Sequence, residues 1–192
     1  MLSIRFHGRG GQGTVIASKL LANAFFREGW EVQAFPSFGA ERSGAPVAAF
    51  LRADRRPITL HSQIYEPEAV VVLDPLLMRG VDVACGLRPD GWLLVNSGRP
   101  PSDFLLRADL RVATCDATAI AIEHGLGTRT QPIVNTAIAG AFAAFTRLVS
   151  LDAVLQAMPG VVPVNVDANR AAAKAAFERV ALCEGVLAVG RP

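Results

Sequence analysis

Gly8, Gly10, Gly11 and Gly13 fall within six positions, with Gln12 between the last two and Thr14 directly after. A turn so poor in side chains presents bare backbone, and clustered backbone N–H groups are an anion receptor. A helix beginning at Thr14 would add its first-turn N–H groups, which lack intrahelical partners, and roughly half a positive charge from the aligned peptide dipoles. Phosphate is the fitting ligand for such a place. Gly8, Gly10 and Gly13 also satisfy G-x-G-x-x-G, although glycines so spaced serve equally well for close packing of a helix on a strand.

Two nucleotide-binding patterns can be compared with this turn. A P-loop requires Gly-Lys followed by Ser or Thr at the helix entry, whereas Gly13 precedes Thr14-Val15 and the nearest lysine, Lys19, lies inside the helical pattern. A dinucleotide fold wants an acidic residue at the carboxyl end of the second strand to hold the ribose. The second strand reads as residues 30–35 and ends in Phe35-Pro36-Ser37, with Glu31 at the opposite end. The pattern therefore favours a phosphate-bearing ligand other than ATP, GTP or NAD. The loop that follows contains Arg42, Ser43 and Gly44. A guanidinium, a hydroxyl and open backbone N–H groups there could face the same ligand. A solvated loop with a local Glu41–Arg42 pair is the other reading.

Groups able to run a reaction are scattered. His7, His61 and His124 are far apart, and Cys85, Cys115 and Cys183 form no C-x-x-C pair, which argues against a metal or iron–sulfur centre and against a disulfide framework. Glu66 and Glu68 sit in turn-like sequence, and no Ser–His–Asp or Cys–His grouping is suggested. His7 beside the turn reads as a packing residue or a catalytic one. Asn135, inside an apolar helical run, reads as a satisfied core residue, a ligand contact or a subunit contact.

Period changes locate the elements. Residues 2–7 alternate Leu2, Ile4 and Phe6 as a strand does, and from Thr14 to the stop at Gly29 apolar residues recur three or four apart as in a helix. Residues 47–52 and 58–60 read as an antiparallel hairpin, and residues 69–73, 92–97 and 110–115 as strands, the first two buried on both faces. Asp74, Asn96 and Ser97 then fall together at the carboxyl edge. Helices are expected at 76–85, at 116–124, at 133–149, from a cap at Ser150, and at 165–182. This alternation predicts an α/β fold: a mostly parallel doubly wound sheet with a hairpin-like antiparallel addition and a helical C-terminal part. One domain spans 1–192, with an α/β core at 1–126 and a helical segment at 127–192.

Composition supports that class and excludes others. The chain has 192 residues, 51% of them hydrophobic but only 7% aromatic, with mean hydropathy +0.33, as suits Ala-, Val- and Leu-rich helices on a parallel sheet and hints at partner subunits. Its formal charge of +2 comes from 19 basic against 17 acidic residues, so no nucleic-acid footprint is present. No apolar run of about 18 residues is available to span a bilayer and residues 1–5 lack a signal-peptide layout, so a reducing, cytoplasmic setting is expected.

Several blocks carry a family resemblance: Gly8-Arg9-Gly10-Gly11-Gln12-Gly13, the run from Gln33 through Pro36-Ser37-Phe38-Gly39-Ala40-Glu41-Arg42-Ser43-Gly44-Ala45-Pro46 to Val47, Ser62-Gln63-Ile64-Tyr65-Glu66-Pro67, Val72-Leu73-Asp74-Pro75, and Val95-Asn96. In this order they resemble the gamma subunit, or gamma domain, of 2-oxoacid:ferredoxin oxidoreductases of the pyruvate and 2-oxoisovalerate type. The resemblance covers residues 4 to about 143. It implies an enzyme subunit, inactive alone, of a complex that oxidatively decarboxylates a 2-oxoacid to an acyl-CoA and passes electrons to ferredoxin or another acceptor. Thiamine diphosphate and iron–sulfur clusters are implied on alpha, beta and delta-type partner subunits. Coenzyme A is implied to contact Gly10, Gly11, Gln12, Gly13 and Thr14, with Arg42, Ser43 and Gly44 as further contacts; no catalytic or metal-binding residue is assigned to this chain. Other family members carry Arg-Arg-Gly where this chain has Arg42-Ser43-Gly44. A stand-alone nucleotide-binding module and a structural assembly subunit without CoA contact are the rival readings.

Overall fold

The alternating opening run forms strand β1, Leu2–Arg9, which extends through Gly8 before the turn. Helix α1, Thr14–Arg27, follows, burying Ala17, Leu20, Leu21, Ala24 and Phe25 along one stripe. The computed structural model describes residues 1–37 and 44–183. Strands β2 (Glu31–Pro36), β3 (Pro46–Asp54), β4 (Ala69–Val72), β5 (Trp92–Asn96) and β6 (Arg111–Cys115) join β1 in one sheet, with a short β7, Ala181–Leu182, at its edge. The spatial order is β2-β3-β1-β4-β5-β6-β7. β1, β4, β5 and β6 are mutually parallel; β3 runs antiparallel between β1 and β2, and β7 antiparallel on β6. Two reversals leave β1 and β2 pointing the same way, so the chain leaves both at the edge that carries the glycine turn.

Helices α2 (Ala117–Glu123), α3 (Asn135–Thr146), α4 (Leu151–Ala157) and α5 (Val166–Arg179) pack with α1 into one large core on a single face of the sheet. α3 is apolar all round because it lies inside this layer, with nearly every residue buried. Its Gly140 is where α5 crosses: a Cβ there would run into the Ala173 carbonyl. The other face of β4–β6 is covered by Val83, Leu87, Phe104 and Leu110 from connecting segments.

Three expectations are corrected. Residues 58–60 form no strand; β3 already pairs with β1 on one edge and β2 on the other, so no edge is left for them. Residues 76–85 do not make an α-helix. A 3-10 turn, Pro75–Arg79, stops at Gly80, and the Asp74 side chain accepts from the Leu76 N–H (2.9 Å), fixing the tight start. The C-terminal part is not helical throughout: residues 127–132 form a loop closed by a Gly127–Pro132 bridge, and after Arg179 the backbone extends to add β7 to the open edge of β6. The cap at Ser150 is as expected, its Oγ accepting from the Ala153 N–H at 3.1 Å. No helix among the described residues is long and apolar enough to cross a membrane.

Candidate anion-binding site

At the end of β1 the backbone turns through Gly11 (φ +96°) and enters α1 from Gly13 (φ +78°), both in a region L side chains disfavour. Gly13 therefore caps the helix with backbone alone: no side chain hydrogen-bonds to the first turn of α1 and none of its first-turn residues is acidic. An amino terminus left so exposed retains its partial positive charge. Gly11 is exposed, and among the described residues, its chain neighbours aside, no atom lies within 4 Å of the position a Cβ would take there. Space for a ligand thus exists directly over the turn.

The turn is held from behind. Gln12 folds back so that its Oε1 accepts from the Arg9 N–H (2.8 Å) and its Nε2 donates to Asp74 (3.4 Å). The Arg9 guanidinium donates to Asp74 Oδ2 at 2.6 Å and to the Gly44 carbonyl at 3.1 Å. Arg9 thereby neutralises the carboxylate nearest the turn, which would otherwise repel an anion. Gly44 is drawn in as well: its N–H donates to the Gly10 carbonyl (3.2 Å), and the Gly10 N–H donates to the Ala45 carbonyl (3.0 Å). Thr14 turns its hydroxyl inward, buried without a partner under Gly8, so only its backbone can face a ligand.

Two spaces flank the turn. One, of about 280 Å³, is lined by Arg9, Gly10, Gly11, Gln12, Gly44 and the 130–132 loop. The other, of about 270 Å³, lies between Gly11, Gly13, the start of α3 at Asn135 and the start of α5 at Asn165. The described part of the expected site, Gly10, Gly11, Gln12, Gly13, Thr14 and Gly44, is therefore brought together; Arg42 and Ser43 lie outside the described residues.

Residues weighed for catalysis do not converge. His7 Nε2 accepts from the Arg5 guanidinium (3.0 Å), and burial, with the Arg5 charge second, pulls its pKa down to about 4. It is a neutral structural ring. Burial, with Asp116 second, pushes the Cys115 thiol up to about 12, which keeps it from acting as a nucleophile. His61 is exposed and remote in the chain from any cysteine or second histidine. Asn96 ties β5 to β4 and α2, donating to the Leu73 carbonyl (2.8 Å) and Thr118 Oγ1 (3.0 Å). Among the described residues no group of three or more His, Cys, Asp or Glu side chains could hold a metal ion. The Arg9–Asp74 pair and the Thr136–Asn169 pair were not found by sequence reasoning; each joins positions far apart in the chain, and although Arg9 and Asp74 each fall in a resemblance block, nothing in the sequence paired them.

Comparison with known proteins fits this arrangement. The family model described as pyruvate ferredoxin/flavodoxin oxidoreductase matches residues 3–179. The chain is 48% identical over 188 residues to the pyruvate/ketoisovalerate oxidoreductases common subunit gamma of Pyrococcus abyssi, covering 96% of this chain and 100% of that one. It is 46% identical over 181 residues to the pyruvate synthase subunit PorC of Methanothermobacter thermautotrophicus, covering 94% and 96%. The crystal structure of a pyruvate oxidoreductase subunit PORC from Thermotoga maritima superposes with a TM-score of 0.80 at 34% identity, over 95% of this chain and 98% of that one.

Proposed function

The chain belongs to the pyruvate ferredoxin/flavodoxin oxidoreductase family as a subunit of the gamma type, and from that premise we propose that its glycine turn holds the diphosphate of coenzyme A while partner subunits carry out the redox chemistry. The observation that carries the reading is the uncapped amino terminus of α1, reached through a turn whose Gly11 has free space above it. A diphosphate there accepts from the first-turn N–H groups and meets the positive end of the helix dipole. Arg9, already paired with Asp74, keeps the adjoining carboxylate from opposing it. Gly11, Gly13 and Thr14 contribute backbone; Gly10, whose N–H is held by the Ala45 carbonyl, and Gln12 shape the turn; Gly44 supports it, and Arg42 and Ser43 add a charge and a hydroxyl.

The complex removes CO2 and two electrons from a 2-oxoacid and joins the acyl carbon to the CoA thiol. Thiamine diphosphate and iron–sulfur clusters belong to alpha, beta and delta-type partners, with ferredoxin or another acceptor receiving the electrons in the cytoplasm. Residues 1–192 act as one gamma unit, with an α/β core at 1–126 and a mainly helical segment at 127–192.

Gly11→Asp tests this in the assembled complex. Asp tolerates positive φ better than most residues and sets a carboxylate where the diphosphate would lie. The expected result is a KM for CoA raised at least about tenfold, since charge-assisted hydrogen bonds are worth about 1.5–3 kcal/mol, with the KM for the 2-oxoacid unchanged. An unchanged KM for CoA contradicts the reading.

A further inference from the structure

The cavity beside the turn receives three helix amino termini, not one. α1 opens on it at Gly13, α3 at Asn135 and α5 at Asn165; among the described residues the residue preceding each helix makes no side-chain cap, although Asn135 Oδ1 itself takes the Thr136 N–H of α3. These helices are 14, 12 and 14 residues long, so each has a developed dipole. Three positive ends aimed at one space repel each other unless something negative sits between them. The intervening walls are apolar, Ile16, Leu126 and Ile133 among them, so their fields are weakly screened. The one acidic residue in these first turns, Asp167, does not neutralise them. Its side chain is 97% exposed and pairs with Arg170 at 3.3 Å.

A side chain points to the same missing partner. Asn135 is 5% exposed and its Oδ1 accepts from the Thr136 N–H at 2.7 Å. Its Nδ2 has no hydrogen-bond partner among the described residues and lies on the cavity wall, 2.6 Å from where a Cβ on residue 13 would stand. Open to the cavity rather than sealed, this amide keeps its donors available to a ligand. The neighbouring residues are fixed: Thr136 Oγ1 donates to Asn169 Oδ1 (2.9 Å), and Asn169 Nδ2 donates to the Val164 and Asn165 carbonyls (3.2 and 2.9 Å), locking the start of α3 to the start of α5.

We propose that Asn135 donates to a ligand phosphate and that the amino termini of α1, α3 and α5 form one diphosphate cradle, making the helical segment part of the binding site. This rests on the reading of the glycine turn as a phosphate site and extends it to residues outside the turn.

The test titrates inorganic pyrophosphate into the full chain, free and in the assembled complex, for the wild type, Asn135→Asp, Asn135→Ala and Gly11→Asp. Asn135→Asp keeps the acceptor for Thr136 and replaces the donor by a negative oxygen. It should weaken pyrophosphate at least about tenfold with a melting temperature no lower than that of the wild type, because the carboxylate meets the helix ends, and Asn135→Ala, which adds no charge, should weaken it by less. Should Asn135→Asp fail to fold, Asn135→Ala decides alone. Wild-type affinity in the Asn135 variants together with loss in Gly11→Asp overturns the cradle and leaves the turn as the phosphate site. Pyrophosphate weakened by all three variants while the KM for CoA stays constant in each upholds the cradle and removes CoA as its ligand. No pyrophosphate binding by the wild type in either form overturns the proposal.

Discussion

His7 stands one residue before the glycines and still has a structural part only. Its folded pKa is about 4, below the ordinary 6.5, because burial disfavours the imidazolium and Arg5 repels it. The unfolded chain therefore takes up a proton near pH 6.5 that the folded chain refuses until about pH 4. Stability is fully present above pH 6.5 and is lost as pH falls toward 4, by up to about 3 kcal/mol for this ring, less to the extent that it stays hydrated. Urea midpoints of the wild type and His7→Gln at pH 7 and pH 4.5 should diverge, with the variant losing less on acidification; parallel losses would exclude His7. At this scale the side-chain-poor turn was legible, because four glycines between a strand and a helix leave mostly bare backbone there. The groups that support it were not. Arg9 meets Asp74 at 2.6 Å only because β1 and β4 are neighbouring parallel strands, and Gln12 folds back on the turn because Arg9's N–H is there to donate to its Oε1.

Elements that bury a strong periodic face matched their sequence patterns, and weakly patterned ones did not. β1, α1, β4, β5 and β6 stand where alternation, helical spacing or a continuous apolar run put them. Residues 58–60 and 76–85 failed because local propensity says nothing about whether a strand edge is free or whether Gly80 interrupts a helix. The end of α5 failed for the reverse reason: the open edge of β6 recruited Ala181–Leu182 out of an alanine-rich helical pattern. The α3–α5 crossing is the most exacting contact of the layer. Gly140→Ala should push α5 outward and cost about 1–3 kcal/mol, read as a lower denaturation midpoint with helix content retained. A midpoint equal to that of the wild type would mean that the helices do not approach as closely as described. Because α3 and α5 also begin at the anion site, the same substitution should loosen phosphate binding.

For the molecule as a whole, the described residues bring the glycine turn and the starts of three helices around one cavity, and the chain belongs to a family of oxidoreductase subunits. Membership of that family was legible in the order of the resemblance blocks, whereas the joining of three helix starts around one cavity depends on tertiary packing that no single stretch encodes. Purified alone, the chain should show no 2-oxoacid oxidation, and activity should appear only when chains bearing thiamine-binding and cysteine-cluster motifs co-elute with it. The most direct measurement is hydrogen exchange of the assembled complex with and without CoA. Protection confined to the backbone amides of the glycine turn, the start of β3 and the first turns of α1, α3 and α5 is the predicted result; unchanged exchange at those amides under saturating CoA would contradict the account.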